Sequence, residues 1–341
     1  MSSPNRLRID RAALAQNWRT LDRMSGAAAC GAAVKADGYG LGARLVVETL
    51  AAAGARDFFV ATWAEARAIA DMGVSIAVLH GIRAEDLAEG LPANARPVLN
   101  TAGQVALWRD AGAGRPCDLM VDTGMNRLGL DVGQAVGEQC VGLTIDTLMS
   151  HLACADEDSA MNAAQRERFA ALAGQTTARR MSLANSAGIA LGRDYAFDLT
   201  RPGLALYGGV PRAELADSIL QVVMPEAQVI QRRVVRASET VGYNALWRAE
   251  ADTEIAILNI GYADGYWRGF TNSGAFRWGD VRLPVLGRVS MDLTAVDLTD
   301  ATNVREGDWI AADYALASAA AASGMSQYEL LTGLGQRFER M

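Results

Sequence analysis

Lys35 ends the apolar half of the segment Cys30-Gly31-Ala32-Ala33-Val34-Lys35-Ala36-Asp37-Gly38-Tyr39-Gly40-Leu41-Gly42. The small apolar residues before it read as a buried parallel strand, and the glycines at 38, 40 and 42 read as a loop just past its end. An amine in such a place loses part of its charge to desolvation and can attack a carbonyl, forming a Schiff base. The glycines would let backbone N–H groups approach a phosphate, although a glycine-rich loop alone is a weak signal. The same lysine could simply snorkel to solvent at a strand end. Further chemistry-bearing residues follow: Arg127 after Asp122-Thr123-Gly124, His151 after Ser150 with Asp156 beyond it, Asn185-Ser186 before a glycine, and Arg201-Pro202-Gly203-Leu204. Each alone has a plain alternative, because an arginine at a loop start is usually solvated or salt-bridged and an Asn-Ser pair is usually a turn. They become informative only if the fold brings them to one place.

The pattern around them predicts that it does. Short apolar runs at 57–61, 75–80, 96–99, 117–122, 144–152, 180–184 and 197–207 join the run ending at Lys35 to give eight strands. Between them lie helix-like stretches at 43–53, 63–72, 102–111 and 161–172, each closed by a nearby glycine. Ahead of them all, Asp10 reads as an N-cap for a helix over 11–24, with Leu14, Trp18 and Leu21 on one face. This alternation predicts an α/β fold, a (β/α)8 TIM barrel over residues 1–222, whose active site is built at the C-terminal strand ends. Beyond a boundary near Pro225 the runs at 228–237, 253–260, 281–285 and 294–298 lack intervening helices and predict a mainly antiparallel β domain over 223–341. Helices are expected at 311–323, by alanine propensity, and at 328–334.

Composition narrows the function. The 341 residues carry a net charge of -7 and a pI near 5.1, with no basic run, which argues against a nucleic-acid partner. No stretch is long and apolar enough for a membrane span, and the start has no signal-like apolar core, so a cytoplasmic protein without a membrane partner is expected. Cys30, Cys117, Cys140 and Cys154 form no C-x-x-C pair and read as reduced thiols. With only His80 and His151, no histidine-rich metal site is expected.

With these motifs in order, and with Gly242-Tyr243, Gly261-Tyr262-Ala263-Asp264-Gly265-Tyr266 and Gly287-Arg288-Val289-Ser290-Met291-Asp292 downstream, the chain resembles the alanine racemases over essentially its whole length. The resemblance implies pyridoxal 5'-phosphate as cofactor, a small amino acid as substrate, and a head-to-tail homodimer whose sites are completed by the partner's β domain. It implies Lys35 as the lysine that binds the cofactor and Tyr243 of the other subunit as the second acid/base group. It gives Tyr39, Ser186 with Asn185, and the backbone of Gly203 and Leu204 as the phosphate cradle, His151 as the residue against the pyridine ring, and Arg201 as the partner of the ring nitrogen. Arg127 and Met291 match the contacts to the substrate carboxylate, and Asp156, Tyr262, Arg268 and Arg288 match the entrance.

Racemisation removes a proton from one face of Cα and returns one to the other, so two acid/base groups must flank the carbon. A tyrosine acting as base asks for nearby positive charge, and an arginine at the ring nitrogen keeps that nitrogen unprotonated. The chain departs from the family pattern at Asp37 and Leu41, at Gln336, and at Met120, where some relatives carry a carbamylated lysine that orients the arginine at 127. Chloride, Asp122 or a backbone carbonyl could take that place, or Met120 could be core packing. A racemase of serine or several amino acids, a cofactor-homeostasis protein of the same barrel, and a decarboxylase are the alternatives. The homeostasis protein lacks a β domain, and the decarboxylase is normally longer.

Overall fold

The first barrel strand is broken in the middle: Ala29–Cys30 pairs with Leu199–Thr200, and Ala32–Ala33 pairs with Asp57–Val60. Gly31 lies between, packed so closely on Phe59 and on the Asp57 carbonyl that a Cβ would meet them at 2.7 and 2.8 Å. From there a parallel sheet of seven strands runs on through Ser75–Val78, Ala95–Leu99, Cys117–Met120, Ile145–Met149 and Arg180–Ser182. Leu199–Thr200 closes the ring, with Ala29 and Gly31 N–H donating to the Asp198 and Thr200 carbonyls and Asp198 N–H donating to Met181. This is the expected barrel. The computed structural model describes residues 3–341 and divides them into two units, 11–220 and 3–10 with 221–341. Among the described residues no helix is long and apolar enough to cross a membrane.

Strand residues such as Phe58, Val60, Val78, Leu99, Leu119 and Leu148 are fully buried, which fixes the barrel through its packed interior and outer helical layer. Charge is also buried, at the N-terminal ends of the strands. Arg96 donates to Asp118 at 2.9 Å and approaches Asp57 and Asp146 at 3.5 and 3.3 Å, while Arg180 reaches Asp57 at 2.9 Å and Asp146 at 2.6 Å. Asp118 also accepts the Thr147 N–H at 3.0 Å.

The second unit is an eight-stranded sheet in the order Thr253–Leu258, Thr294–Asp297, Val281–Leu286, Ala275–Trp278, Trp309–Ala312, Val223–Val235, Asn5–Ile9, Glu339–Arg340. The long strand Val223–Val235 pairs back onto Thr253–Leu258 across a bulge, which closes the first six strands on themselves. Tyr266, Phe270 and Phe276 stack in its core.

Four sequence expectations need correction. Residues 3–10 group with the β unit rather than with the barrel, because Asn5–Ile9 pairs with Val223–Val235; Pro225, expected at the boundary, sits inside that strand opposite Leu7. The run 197–207 is a strand only at Leu199–Thr200; past Pro202 it becomes the 3-10 turn Leu204–Tyr207. The run 311–323 begins as strand, since Trp309–Ala312 has sheet partners on both sides, and only Leu316–Ser323 is helix. Strand Ala275–Trp278 was not anticipated at all.

Candidate active site

Lys35 starts an unusual turn. Ala36, Asp37, Gly38 and Tyr39 all have positive φ, at 53°, 51°, 64° and 55°, so the chain makes a left-handed turn immediately after the amine. For each non-glycine residue this costs about 1–2 kcal/mol, so the surroundings must hold it. Gly38 N–H donates to Val34, Gly40 N–H to Ala36 and Gly42 N–H to Asp37. The Asp37 carboxylate accepts the Ala43 N–H at 2.7 Å, at the head of helix Ala43–Ala53. The glycine N–H groups are therefore engaged within the turn itself, and the phosphate role the sequence suggested for them does not fit. From helix Trp63–Ile69, Glu65 reaches back to accept the Ala36 N–H at 2.7 Å.

Opposite this turn, the Ser186 hydroxyl accepts N–H groups from Gly203 and Ala205 at 2.9 and 3.2 Å, and Asn185 caps the following helical turn by accepting the Gly188 N–H at 2.8 Å. A Cβ on Gly203 would lie 2.3 Å from the Tyr39 hydroxyl, so only glycine leaves room for that group. Tyr39 is held by stacking on Tyr207 at 4.5 Å, and Tyr207 donates to the Ala33 carbonyl. Among the described residues the Leu204 N–H meets no acceptor. Two hydroxyls and a free N–H thus gather with no carboxylate among them, a donor set that suits a phosphate.

Arg201 is buried, donating to the Ser182 hydroxyl at 2.5 Å and the Ser150 carbonyl at 2.6 Å, with no carboxylate paired to it among the described residues. Desolvation pushes its pKa down to about 10. His151 is pushed down to about 3 by desolvation and then by Arg201, Arg127 and Lys35, so its imidazole is neutral. Lys35 is lowered as well: although the residue reaches solvent, desolvation of its ammonium acts first and Arg127 second, with Glu65 opposing. Lys35, Arg127 and Arg201 thus all act on His151, and Arg127 on Lys35, so these strand ends carry a positive potential that favours an anionic ligand.

Arg127 is exposed and, among the described residues, has no ion pair. Its loop is braced internally by the Val121–Leu130 bridge and by Asp122, which accepts the Gly124 and Met125 N–H groups at 2.8 and 2.9 Å. Asp122 orients the loop, not the guanidinium. Met120 is buried packing beneath Gly129. Asp156 is exposed and joins none of these interactions.

In the β unit, a cavity of about 300 Å³ is lined by Tyr243, Tyr262, Arg268, Arg288 and Met291, all of the β-domain candidates. Gly261 allows this: a Cβ there would lie 2.4 Å from the Ser290 and Met291 carbonyls, which accept the Tyr262 and Ala263 N–H groups. The Arg268 guanidinium lies over the Tyr262 ring at 4.5 Å. Tyr266, which ends the 261–266 motif, is core and not part of this lining, and Gln336 is exposed.

Sequence reasoning missed Glu65, for which an acid three residues after Thr62 signals only a helix start. It also missed a count. Lys35 is the only lysine in the 341 residues.

The family models described as alanine racemase N-terminal domain and alanine racemase C-terminal domain match residues 9–211 and 222–341. The alanine racemase of Dinoroseobacter shibae is 44% identical over 98% of this chain and 97% of its own, and that of Acidiphilium cryptum is 42% identical over 98% of each. Among solved structures, the alanine racemase from Bartonella henselae with covalently bound pyridoxal phosphate is similar with a TM-score of 0.92 and 33% identity, covering 100% of this chain and 99% of that one.

Proposed function

The chain belongs to the alanine racemase family, and from that premise we propose that it interconverts L- and D-alanine with Lys35 and Tyr243 as its two acid/base groups and pyridoxal phosphate as cofactor. One observation carries the reading: the only lysine in the sequence stands at a barrel mouth that is electropositive and faces a set of phosphate donors. Bound there, pyridoxal phosphate supplies the aldehyde that condenses with an amine and the electron-withdrawing ring that loosens a Cα proton.

Tyr39, Ser186 and the Gly203–Leu204 backbone would hold the phosphate, with Asn185 fixing the turn that carries Ser186. His151, neutral, would border the ring without adding charge. Arg201, already donating to Ser182 and Ser150, presents a guanidinium that cannot accept a proton, so facing the ring nitrogen it would disfavour a proton there. Arg127 takes the substrate carboxylate, and desolvation and Arg127 together favour the neutral amine that Lys35 needs to act as a base.

Tyr243 is 69% exposed in the single chain, beside exposed Met291 and Leu293. An acid/base group needs a shielded setting, which supports a homodimer in which this face of one copy completes the mouth of another. There Met291 joins Arg127 at the carboxylate, and Asp156, Tyr262, Arg268 and Arg288 line the entrance. The enzyme would work in the cytoplasm.

Racemisation of L-alanine, L-serine and L-glutamate by the purified enzyme, followed by chiral separation, should give alanine as the fastest substrate. Mixing inactive Lys35→Ala with inactive Tyr243→Phe protein should restore activity, because one site of a mixed dimer keeps both residues. Faster turnover of serine would favour the broader racemase, and no recovery after verified subunit exchange would refute the shared site.

A further inference from the structure

Glu65 uses both of its carboxylate oxygens on backbone. One accepts the Ala36 N–H at 2.7 Å; the other accepts the Ala61 N–H at 2.6 Å and the Thr62 N–H at 3.2 Å. Ala36 is the first left-handed residue after Lys35, and Ala61 follows strand Asp57–Val60, which pairs with the strand before Lys35. One side chain therefore ties the turn carrying the amine to the end of the neighbouring barrel strand. We propose that Glu65 is the positioning residue for Lys35, gripping the left-handed turn through one oxygen while the other is anchored to the head of helix Trp63–Ile69.

The chemistry requires a carboxylate. Three N–H donors converge from two sides, so both oxygens must be acceptors. Glutamine offers one oxygen and one NH2, and on one side that NH2 would face an N–H. The helix can keep the oxygen, because glutamine serves as well as glutamate at the third position of a capping box. The Ala36 N–H then loses its acceptor and the turn loses its brace. Glu65 also brings a negative charge to bear on Lys35, opposing Arg127 from the 121–130 loop, while His151 after strand Ile145–Met149 is neutral.

The inference rests on Lys35 being the cofactor-binding amine, but its test has an arm that does not depend on turnover. Since Lys35 is the only lysine, trace acetylation of the cofactor-free full-length chain, followed by mass spectrometry of the Lys35 peptide, reports the titration of this one amine. For Glu65→Gln the labelling midpoint should move to lower pH. In the holoenzyme kcat should fall about 10- to 100-fold, the scale expected for slight misplacement of a reacting group, with KM for alanine within about threefold. Thr62→Ala, which removes the other half of the capping box, should lower the melting temperature and change neither readout. The proposal is overturned if Glu65→Gln keeps the wild-type midpoint and kcat, or if Thr62→Ala moves both as far, which would make the role merely structural. A wild-type enzyme without racemase turnover would refute the functional reading, while the labelling arm would still decide for or against Glu65.

Discussion

At the N-terminal ends of the barrel strands, Arg96 and Arg180 share Asp57 and Asp146, and Arg96 also holds Asp118 with both of its carboxylate oxygens. At the C-terminal ends, Arg127 and Arg201 have no carboxylate partner among the described residues, and Glu65, which opposes Arg127 at Lys35, has its oxygens taken by backbone. Both ends belong to the same unit and the same ring of strands. Charge is satisfied internally at the first end and left without a carboxylate partner at the second. Burying the first set is tolerable because each ion has its partners; the second set is tolerable because it lines an opening that an anionic phosphate and a substrate carboxylate can enter.

The largest effect should come from breaking the paired end. Asp118→Ala leaves Arg96 with less compensation in the interior and should cost about 3–5 kcal/mol of stability, read as a shift of the urea midpoint. Below the melting range KM for alanine should stay at the wild-type value, since nothing at the mouth is touched. A raised KM with unchanged stability would show that the two ends are not separate in role.

A smaller effect should appear at the mouth under acid. His151 has a folded-state pKa near 3 against an ordinary 6.5, so between these values the unfolded chain binds a proton that the folded chain does not. The contribution is fully present above pH 6.5 and is lost as pH falls toward 3. In the cofactor-free protein, stability should therefore decline through this window, and His151→Gln should flatten the decline. An equal slope in the variant would place the acid sensitivity elsewhere.

Much of this contrast could be read in the chain. Helices 43–53 and 102–111 fall where spacing and glycine stops put them, and every barrel candidate follows the end of a strand. What escaped was decided at long range. Trp309–Ala312 is alanine-rich, and only its sheet neighbours make it strand; Asn5–Ile9 becomes intelligible once its pairing with a strand more than two hundred residues away is known. Pro202 and Gly203 end the last barrel strand after Leu199–Thr200, and the apolar residues 204–207 beyond them fold as a 3-10 turn instead of more strand. The glycines at 38, 40 and 42 signal a loop after Lys35 but not its left-handed turn, in which Ala36, Asp37 and Tyr39 are contacted by Glu65, the Ala43 N–H and Tyr207. The paired ions at 57, 96, 118, 146 and 180 are scattered in sequence and meet only when the strands come into register.

The most direct test of the account is borohydride reduction of the holoenzyme followed by peptide mapping. With Lys35 as the cofactor-binding amine, the reduced cofactor should be attached to the peptide containing Lys35 and activity should be lost in proportion to that label. Recovery of an active enzyme with Lys35 fully labelled, or of an inactivated one with Lys35 unmodified, would contradict it.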